Sequence, residues 1–287
     1  MSIRGEIKKF IKTLNGKRYT CHFQRLAATN KSPIVSSNGE AVVSMTSYGD
    51  RINAVHLAIE SIAAGNALPK RLILWIDEEE VLRDIPPQLK RLQDRGLEIL
   101  SCDNYGPYKK FYPYVTSQEL DLPLVTADDD VFYPHDWLSG LIEARANNKD
   151  AICCHRAYAV ALTKDGIAPY GSWQEAEIDK PSAINFATGV GGVIYPPQFL
   201  RVLKEAGDGF LQTCPKGDDI WLHKQAISHG FQIVKIKGNS KLPEIPKSQQ
   251  SALHRYNVKL GGNEEQIRAT YTQEDIALLR VAADNLN

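Results

Sequence analysis

The sequence predicts an α/β domain with a mixed, mostly parallel sheet flanked by helices, preceded by an N-terminal amphipathic helix. Short runs rich in Val, Ile and Leu alternate with segments of helical spacing from residue 41 onward, the pattern of βαβ units. Polar residues follow several of these apolar runs directly, where open α/β sheets collect their ligands.

The composition and net charge of the chain are those of an ordinary globular protein. The chain has 287 residues, 43% hydrophobic and 24% charged, as in ordinary globular proteins with a sizeable core. Lys and Arg total 34, as do Asp and Glu, so net charge gives no sign of a nucleic-acid partner.

The first 30 residues predict a basic amphipathic extension, leaving residues 31–287 as the main domain. Apolar residues recur at spacings of three and four, and basic residues occupy other positions of the helix. Peripheral membrane contact through residues 1–15 and docking onto the main domain both fit this pattern, with docking preferred.

Cysteine usage and hydropathy predict a cytoplasmic protein. The five cysteines lack the spacing of a zinc or redox motif, and the N-terminus lacks the apolar core of a signal peptide. No apolar run reaches the ~18–20 residues of a membrane span. The basic extension would also allow a peripheral position at the inner face of the membrane.

Strands and helices are expected to alternate along the chain, with Pro87 in the first turn of one helix. The expected strands span 41–46, 71–77, 97–102, 122–126, 151–156, 158–163, 189–195 and 231–236. The expected helices span 53–64, 87–95, 110–119, 197–206, 219–229 and 273–283. Residues 29–40 are interpreted as a linker.

An acidic triplet, Asp128-Asp129-Asp130, directly follows the apolar run at 122–126. In an extended segment alternate residues face the same way, so Asp128 and Asp130 are expected to point into the cleft and Asp129 away. Two convergent carboxylates suit Mn²⁺ or Mg²⁺. The alternative is an exposed acidic loop or a helix N-cap.

The segment VTADDDVFYPHDWL resembles the Asp-x-Asp motif of GT-A glycosyltransferases, in particular bacterial enzymes that build surface polysaccharides. The segments VVSMTSYGDRI, GPYKKFYPYV, TGVGGVIYPP and KGDDIWL occur in the order found in that family. The resemblance covers residues 41–255 and implies a GT-A-like (Rossmann-like) fold. It also implies a nucleoside-diphosphate-sugar donor, Asp128 near the ribose or metal, Asp130 as metal ligand, and Asp129 in the same donor site.

The same resemblance assigns the loop after the first strand to the donor nucleotide. It contains Thr46, Ser47, Tyr48 and Arg51, with Tyr48 stacking on the base and Arg51 reaching the phosphates. A plain β–α turn is the alternative. Asp77 could accept a hydrogen bond from base or ribose, or cap the next helix.

A lysine in NYGPYKKFYPYV could offer positive charge to a diphosphate. Only one of Lys109 and Lys110 can face the cleft, and Lys109 is preferred over Lys110. A solvated basic helix start is the alternative.

Glycines at 189, 191 and 192 predict close approach of a ligand, such as a sugar, to a glycine-rich strand. A bulge without a ligand is the alternative.

Asp218 and Asp219 begin an expected helix, where acidic residues are stabilising in any case. The resemblance implies that Asp219 is the catalytic base of an inverting enzyme and that Asp218 binds the acceptor hydroxyl. It also makes His254 a candidate third metal ligand. A structural histidine is the alternative.

Together these features predict an enzyme: a metal-dependent glycosyltransferase that moves a sugar to a hydroxyl of a glycan or lipid-linked glycan. A sugar-1-phosphate nucleotidyltransferase is an alternative, although TSYGDRI lacks the Gly-x-Gly-x-Arg loop of such enzymes. The other alternative is a non-catalytic GT-A-like module that binds glycans.

Overall fold

The computed structural model describes residues 3–238, 242–246 and 261–285, with the backbone alone for residues 3–15. The helices are α1 (Ile3–Thr29), α2 (Val55–Ala63), α3 (Glu79–Arg83), α4 (Pro87–Gln93), α5 (Tyr112–Ser117), α6 (Trp137–Asn147), α7 (Pro197–Ala206), α8 (Phe210–Thr213), α9 (Asp218–Ser228), α10 (Gly262–Thr270) and α11 (Gln273–Asp284). The strands are β1 (Val42–Thr46), β2 (Arg71–Ile76), β3 (Leu97–Ser101), β4 (Leu124–Ala127), β5 (Ile152–Cys154), β6 (Ala157–Ala159), β7 (Leu162–Thr163), β8 (Gly166–Ile167), β9 (Gln174–Glu175), β10 (Asn185–Ala187), β11 (Val193–Tyr195) and β12 (Ile233–Lys235).

A seven-stranded sheet in the order β12-β5-β11-β4-β1-β2-β3 forms the centre of the protein. Strand β11 runs antiparallel to both of its neighbours, β4 and β5, and the other pairs are parallel. The predicted mixed, mostly parallel sheet is therefore confirmed.

Hydrophobic cores cover both faces of this sheet, as expected where parallel strands are buried on both sides. Alternation along β1 sends Val42 to one core, with side chains of α5, α7 and α9. Val43 and Met45 go to the other, with side chains of α2, α4 and α6. Every residue of β1 is buried, which explains its nearly continuous apolar sequence.

Helix α1 continues to Thr29, so it spans nearly the whole predicted extension of 30 residues. Its second half docks on the main domain: Phe23 is 4% exposed, and the ring centroids of Phe23 and Tyr19 lie 5.4 and 5.5 Å from that of Phe132. The side chains of residues 3–15 lie outside the described part, so membrane contact through residues 1–15 stays a prediction. Among the helices described, none combines the length and apolarity that crossing a bilayer requires.

The segment between α1 and β1, interpreted as a linker, packs closely on the domain. Ile34 is fully buried, and its N–H donates to the carbonyl of Arg95 at 2.9 Å. The N–H of Ser36 donates to the carbonyl of Pro69 at 2.8 Å. These contacts hold the chain from α1 against the edge of the domain.

The glycine run at 189–192 is a turn, not the first half of a strand, so that prediction is wrong. Gly191 and Gly192 have φ values of +95° and +96°, which L side chains rarely adopt, and β11 begins only at Val193. The close approach is made by the protein itself. Trp137 donates from its indole nitrogen to the carbonyl of Gly191 at 2.6 Å.

Replacing Gly192 with Ala should lower the free energy of unfolding by about 2–4 kcal/mol, through overpacking and backbone strain. A Cβ at Gly192 would lie 2.7 Å from the Trp137 ring. Urea unfolding of the variant measures this cost. Gly171→Ala is the matched control, because no heavy atom lies within 4 Å of its added Cβ. Equal stability of the two variants would contradict this account of the turn.

Candidate active site

Side chains from several elements meet at the carboxyl edge of the central sheet. Strands β1, β2 and β4 are parallel, so the residues that follow them, Ser47, Asp77 and Asp128, emerge at the same edge. The turn before β11 arrives there too, because that strand runs the opposite way. The edge thus brings together the loops that the sequence singled out.

The acidic triplet forms a turn in which the middle carboxylate is buried. Asp129 is 4% exposed; it accepts hydrogen bonds from the hydroxyl of Ser47 at 2.6 Å and from Arg51 at 2.8 Å. Asp128 and Asp130 are partly exposed. Asp129 therefore stabilises the loop after β1, whereas its neighbours remain accessible at the edge.

Each accessible carboxylate of the triplet contacts a cation. Lys110 pairs with Asp128, and Arg51 donates to Asp130 at 2.5 Å. Burial and the neighbouring charge of Asp128 raise the pKa of Asp130 to about 6. Crowded carboxylates of this kind favour an additional cation.

The donor set fits a divalent ion in part. Asp128 and Asp130 supply the hard oxygen ligands that Mn²⁺ and Mg²⁺ prefer, and their crowding would be relieved by such an ion. Within the described ranges, no group of three or more His, Cys, Asp or Glu residues is arranged to hold a metal. His254, the predicted third ligand, lies outside those ranges.

The loop predicted to hold the nucleotide divides into an internal and an exposed half. The hydroxyl of Thr46 donates a hydrogen bond to the carbonyl of Trp75 at 2.9 Å, and the hydroxyl of Ser47 donates one to Asp129. Both hydroxyls are therefore occupied by contacts within the protein. Tyr48 is 44% exposed. Its ring and the cation of Arg51, 5.5 Å from the ring centroid, are thus the parts of this loop that a ligand could reach.

The structure reverses the preference between the two lysines. Lys109 is 3% exposed and forms a buried ion pair with Asp77, whereas Lys110 extends to the acidic triplet. Both belong to a 3-10 helix, Gly106–Lys110, in which consecutive side chains diverge by about 120°. Asp77 thereby has its carboxylate fixed by Lys109 beside the Tyr48 ring, whose centroid lies 5.7 Å from the lysine nitrogen.

The acid pair at the start of α9 faces the same lysine. Burial and the charge of Asp218 raise the pKa of Asp219 to about 8, and burial also raises the pKa of Asp218. Burial would lower the pKa of Lys110, but the carboxylates of Asp128, Asp218 and Asp219 outweigh it and raise that pKa. Lys110 is therefore a cation that faces both acidic groups.

The contacts of Asp219 distinguish it from a simple helix cap. Its carboxylate accepts a hydrogen bond at 2.9 Å from the N–H of Gly189, which lies 30 residues earlier in the chain and outside α9. A Cβ at Gly189 would lie 3.3 Å from the same carboxylate and 3.8 Å from the Lys110 nitrogen. The glycine turn thus fixes Asp219 beside Lys110.

Sequence reasoning missed two residues of this edge. Lys110 was passed over for its neighbour, although the 3-10 geometry that separates them has no clear sequence signal. The hydroxyl of Tyr133 accepts a hydrogen bond from the N–H of Asp128 at 2.6 Å and so stabilises the acidic turn. Its position five residues after Asp128 gave no periodic signal.

Comparison with solved structures identifies the fold. The structure matches a mannosyltransferase from Pyrobaculum calidifontis in complex with GDP-Man and Mn²⁺, with a TM-score of 0.53 and 10% identity, over 95% of this chain and 78% of that one. This agreement confirms the predicted GT-A-like fold. Neither a family model nor a curated protein sequence matches the chain.

Two weaker similarities are reported without any argument resting on them. S. aureus TarS, residues 1–349, has a TM-score of 0.46 and 12% identity, over 69% of this chain and 59% of that chain. A 4-diphosphocytidyl-2C-methyl-D-erythritol synthase from Anaerococcus prevotii has a TM-score of 0.48 and 12% identity, over 86% and 98%.

Proposed function

We propose that this protein is a metal-dependent glycosyltransferase that moves a sugar from a nucleoside-diphosphate-sugar to a hydroxyl of a glycan or lipid-linked glycan. The observation that carries the proposal is Lys110, which faces the Asp128 carboxylate on one side and the Asp218–Asp219 pair on the other. Such an arrangement can hold a phosphate leaving group next to a base. The fold it shares with a GDP-Man-bound mannosyltransferase supports the same reading.

The donor half of the site would lie between β1 and β4. Tyr48 offers an exposed ring for a nucleotide base, with Asp77 beside it for the ribose or base. Arg51 and Lys110 offer donors to the diphosphate. Asp128 and Asp130 would hold Mn²⁺ or Mg²⁺, with His254 as a third ligand, and the ion would stabilise charge on the departing diphosphate.

The acceptor half would lie at the start of α9. Asp219 would accept the proton of the acceptor hydroxyl as that oxygen attacks the anomeric carbon, with inversion. Its raised pKa, about 8, suits proton uptake near neutral pH. Asp218, next to it, would orient the acceptor hydroxyl.

Two further features belong to the proposal. A cytoplasmic enzyme whose helix α1 reaches the inner face of the membrane would meet lipid-linked acceptors there, since residues 1–30 carry seven basic residues. Surface-polysaccharide synthesis in bacteria is the process that fits a GT-A-like enzyme with such an extension.

A nucleoside diphosphate that binds this site should raise the melting temperature in the presence of Mn²⁺, because it binds only the folded state. At a ligand concentration 100 times Kd the gain is about 2.7 kcal/mol, a rise of several degrees. A thermal-shift screen of nucleoside diphosphates measures it. Asp130→Asn should lose the Mn²⁺-dependent part, and Asp165→Asn, at an exposed site, should keep it. No response to any nucleotide would contradict the proposal.

Product analysis separates the alternatives. A glycosyltransferase releases nucleoside diphosphate from a nucleotide-sugar, whereas a nucleotidyltransferase releases pyrophosphate from a nucleoside triphosphate and a sugar 1-phosphate. A glycan-binding module would do neither.

A further inference from the structure

A second, smaller sheet brings Arg156 and Thr188 side by side near the acid pair. Strands β10 and β6 are antiparallel, with Ala187 opposite Ala157. The pairing continues one step further, because the N–H of Thr188 donates to the carbonyl of Arg156 at 3.0 Å. Residues opposite each other in such a ladder project from the same face, so these two side chains are neighbours.

Within the described residues, the Thr188 hydroxyl has no hydrogen-bond partner and the Arg156 guanidinium has no carboxylate partner. Thr188 is 3% exposed, and its hydroxyl has no hydrogen-bond partner. Arg156 forms no ion pair with any carboxylate of the described residues; it donates to the hydroxyl of Tyr158 and lies 5.1 Å from that ring's centroid. A buried hydroxyl without a partner is costly, so a polar group that reached Thr188 would be stabilised by it.

The pair lies next to the candidate base. Gly189 follows Thr188 directly, and its N–H is the donor that fixes Asp219. Tyr170 lies close to both Arg156 and Asp219. Burial and the charge of Asp219 raise the pKa of Tyr170, while the charge of Arg156 lowers it. The hydroxyl of Tyr170 is therefore near both Asp219 and Arg156.

We propose that Arg156 and Thr188 form a binding site for an oxyanion, a carboxylate or phosphate carried by the sugar acceptor. A guanidinium held beside Tyr158 by a hydrogen bond and a cation–π contact presents its remaining N–H groups in one plane, and the Thr188 hydroxyl adds a donor at its side. The acceptor assignment rests on the proposed function. It follows from position, because Thr188 precedes Gly189, whose N–H binds Asp219, whereas Arg51 of the nucleotide loop binds the acidic triplet.

Direct binding tests the site without relying on turnover. In an NMR titration of the full chain, the Arg156 side-chain N–H signal, assigned with Arg156→Gln, should shift saturably with methyl glucuronide and with phenyl phosphate. Methyl glucoside, which lacks the charge, should leave it in place. No shift with either anion up to about 50 mM, where a millimolar site would be saturated, would overturn the proposal.

Two further titrations test whether the site belongs to the donor or the acceptor, and whether the bound anion is a phosphate or a carboxylate. The shift should persist with Mg²⁺, which is diamagnetic, and the best-binding nucleoside diphosphate present. Displacement by the nucleotide would assign Arg156 to the donor and overturn the acceptor claim. A shift with phenyl phosphate alone would assign a phosphorylated acceptor, and one with the glucuronide alone an acidic sugar. Because this titration needs no sugar transfer, it can succeed even if the proposed activity fails.

Substitutions at the two residues test how much each contributes to binding of the anion. Measured by the backbone N–H signals of Thr188 and Gly189, which this variant retains, anion binding should weaken about 10- to 100-fold in Arg156→Gln, the range for a hydrogen bond to a charged group. Thr188→Val, which keeps the shape without the hydroxyl, should weaken it several-fold. Arg83→Gln removes an exposed arginine elsewhere and should change nothing. Equal anion binding by Arg156→Gln and the parent would also overturn the proposal.

Discussion

Replacing Asp219 with Asn should lower the rate of sugar transfer about 100- to 10,000-fold, the range attributed to a general base. The amide cannot take up the acceptor proton, but its oxygen can still accept the hydrogen bond from Gly189. The fold and the donor site should therefore survive. Initial rates of nucleoside diphosphate release, with thermal shift by the same nucleotide, measure the two effects separately.

Asp165→Asn is the matched control for this prediction, since it removes an exposed carboxylate far along the chain from α9. Transfer by Asp219→Asn within a few-fold of the parent would remove Asp219 from the role of base. The anomeric configuration of the product, read by NMR, gives an independent answer. A retained configuration would mean that the base assignment is wrong even if the variant is slow.

The same substitution should stabilise the free protein, increasingly so as the pH rises from about 4 to about 8. The pKa of Asp219 is about 8 in the folded protein against an ordinary value of 3.8, so folding takes up a proton between these values. A raised carboxyl pKa means that its stabilising effect is complete at low pH and is lost as the pH rises through the folded value. The Asn variant has no such loss.

Urea unfolding of both proteins across this pH range measures the difference. It should grow by at most about 1.4 kcal/mol per pH unit and level off above about pH 8. Asp165→Asn should follow the parent at every pH. If the difference in stability between the two proteins is constant or shrinks as the pH rises, the pKa of Asp219 is not raised in the folded protein.

Features that follow from the pattern of apolar residues along the chain could be predicted from the sequence. The buried parallel strands β1, β2 and β4 are apolar because both their faces are covered, and this made them visible as runs. Asp128 follows β4 directly, so its place at the sheet edge followed from the same pattern. The fold class and the position of the acidic triplet at the sheet edge could therefore be predicted from the sequence.

Other features depend on contacts between distant segments. The choice of Lys110 over Lys109 depends on a 3-10 turn and on Asp77, which is 32 residues away from Lys109 in the chain. The glycine turn depends on Trp137, whose ring fills the space beside Gly192. No periodicity in the sequence encodes such pairings, which explains why both predictions failed.

The docking of α1 has a consequence for the acidic turn. Phe132, two residues after Asp130, is covered by Tyr19 and Phe23, and its N–H donates to the carbonyl of Pro243 at 2.8 Å. The turn is thus held between α1 and the segment that contains Pro243. A truncated chain that began at residue 31 would leave the Phe132 ring uncovered beside the candidate donor site. Helix α1 therefore stabilises that site as part of the domain.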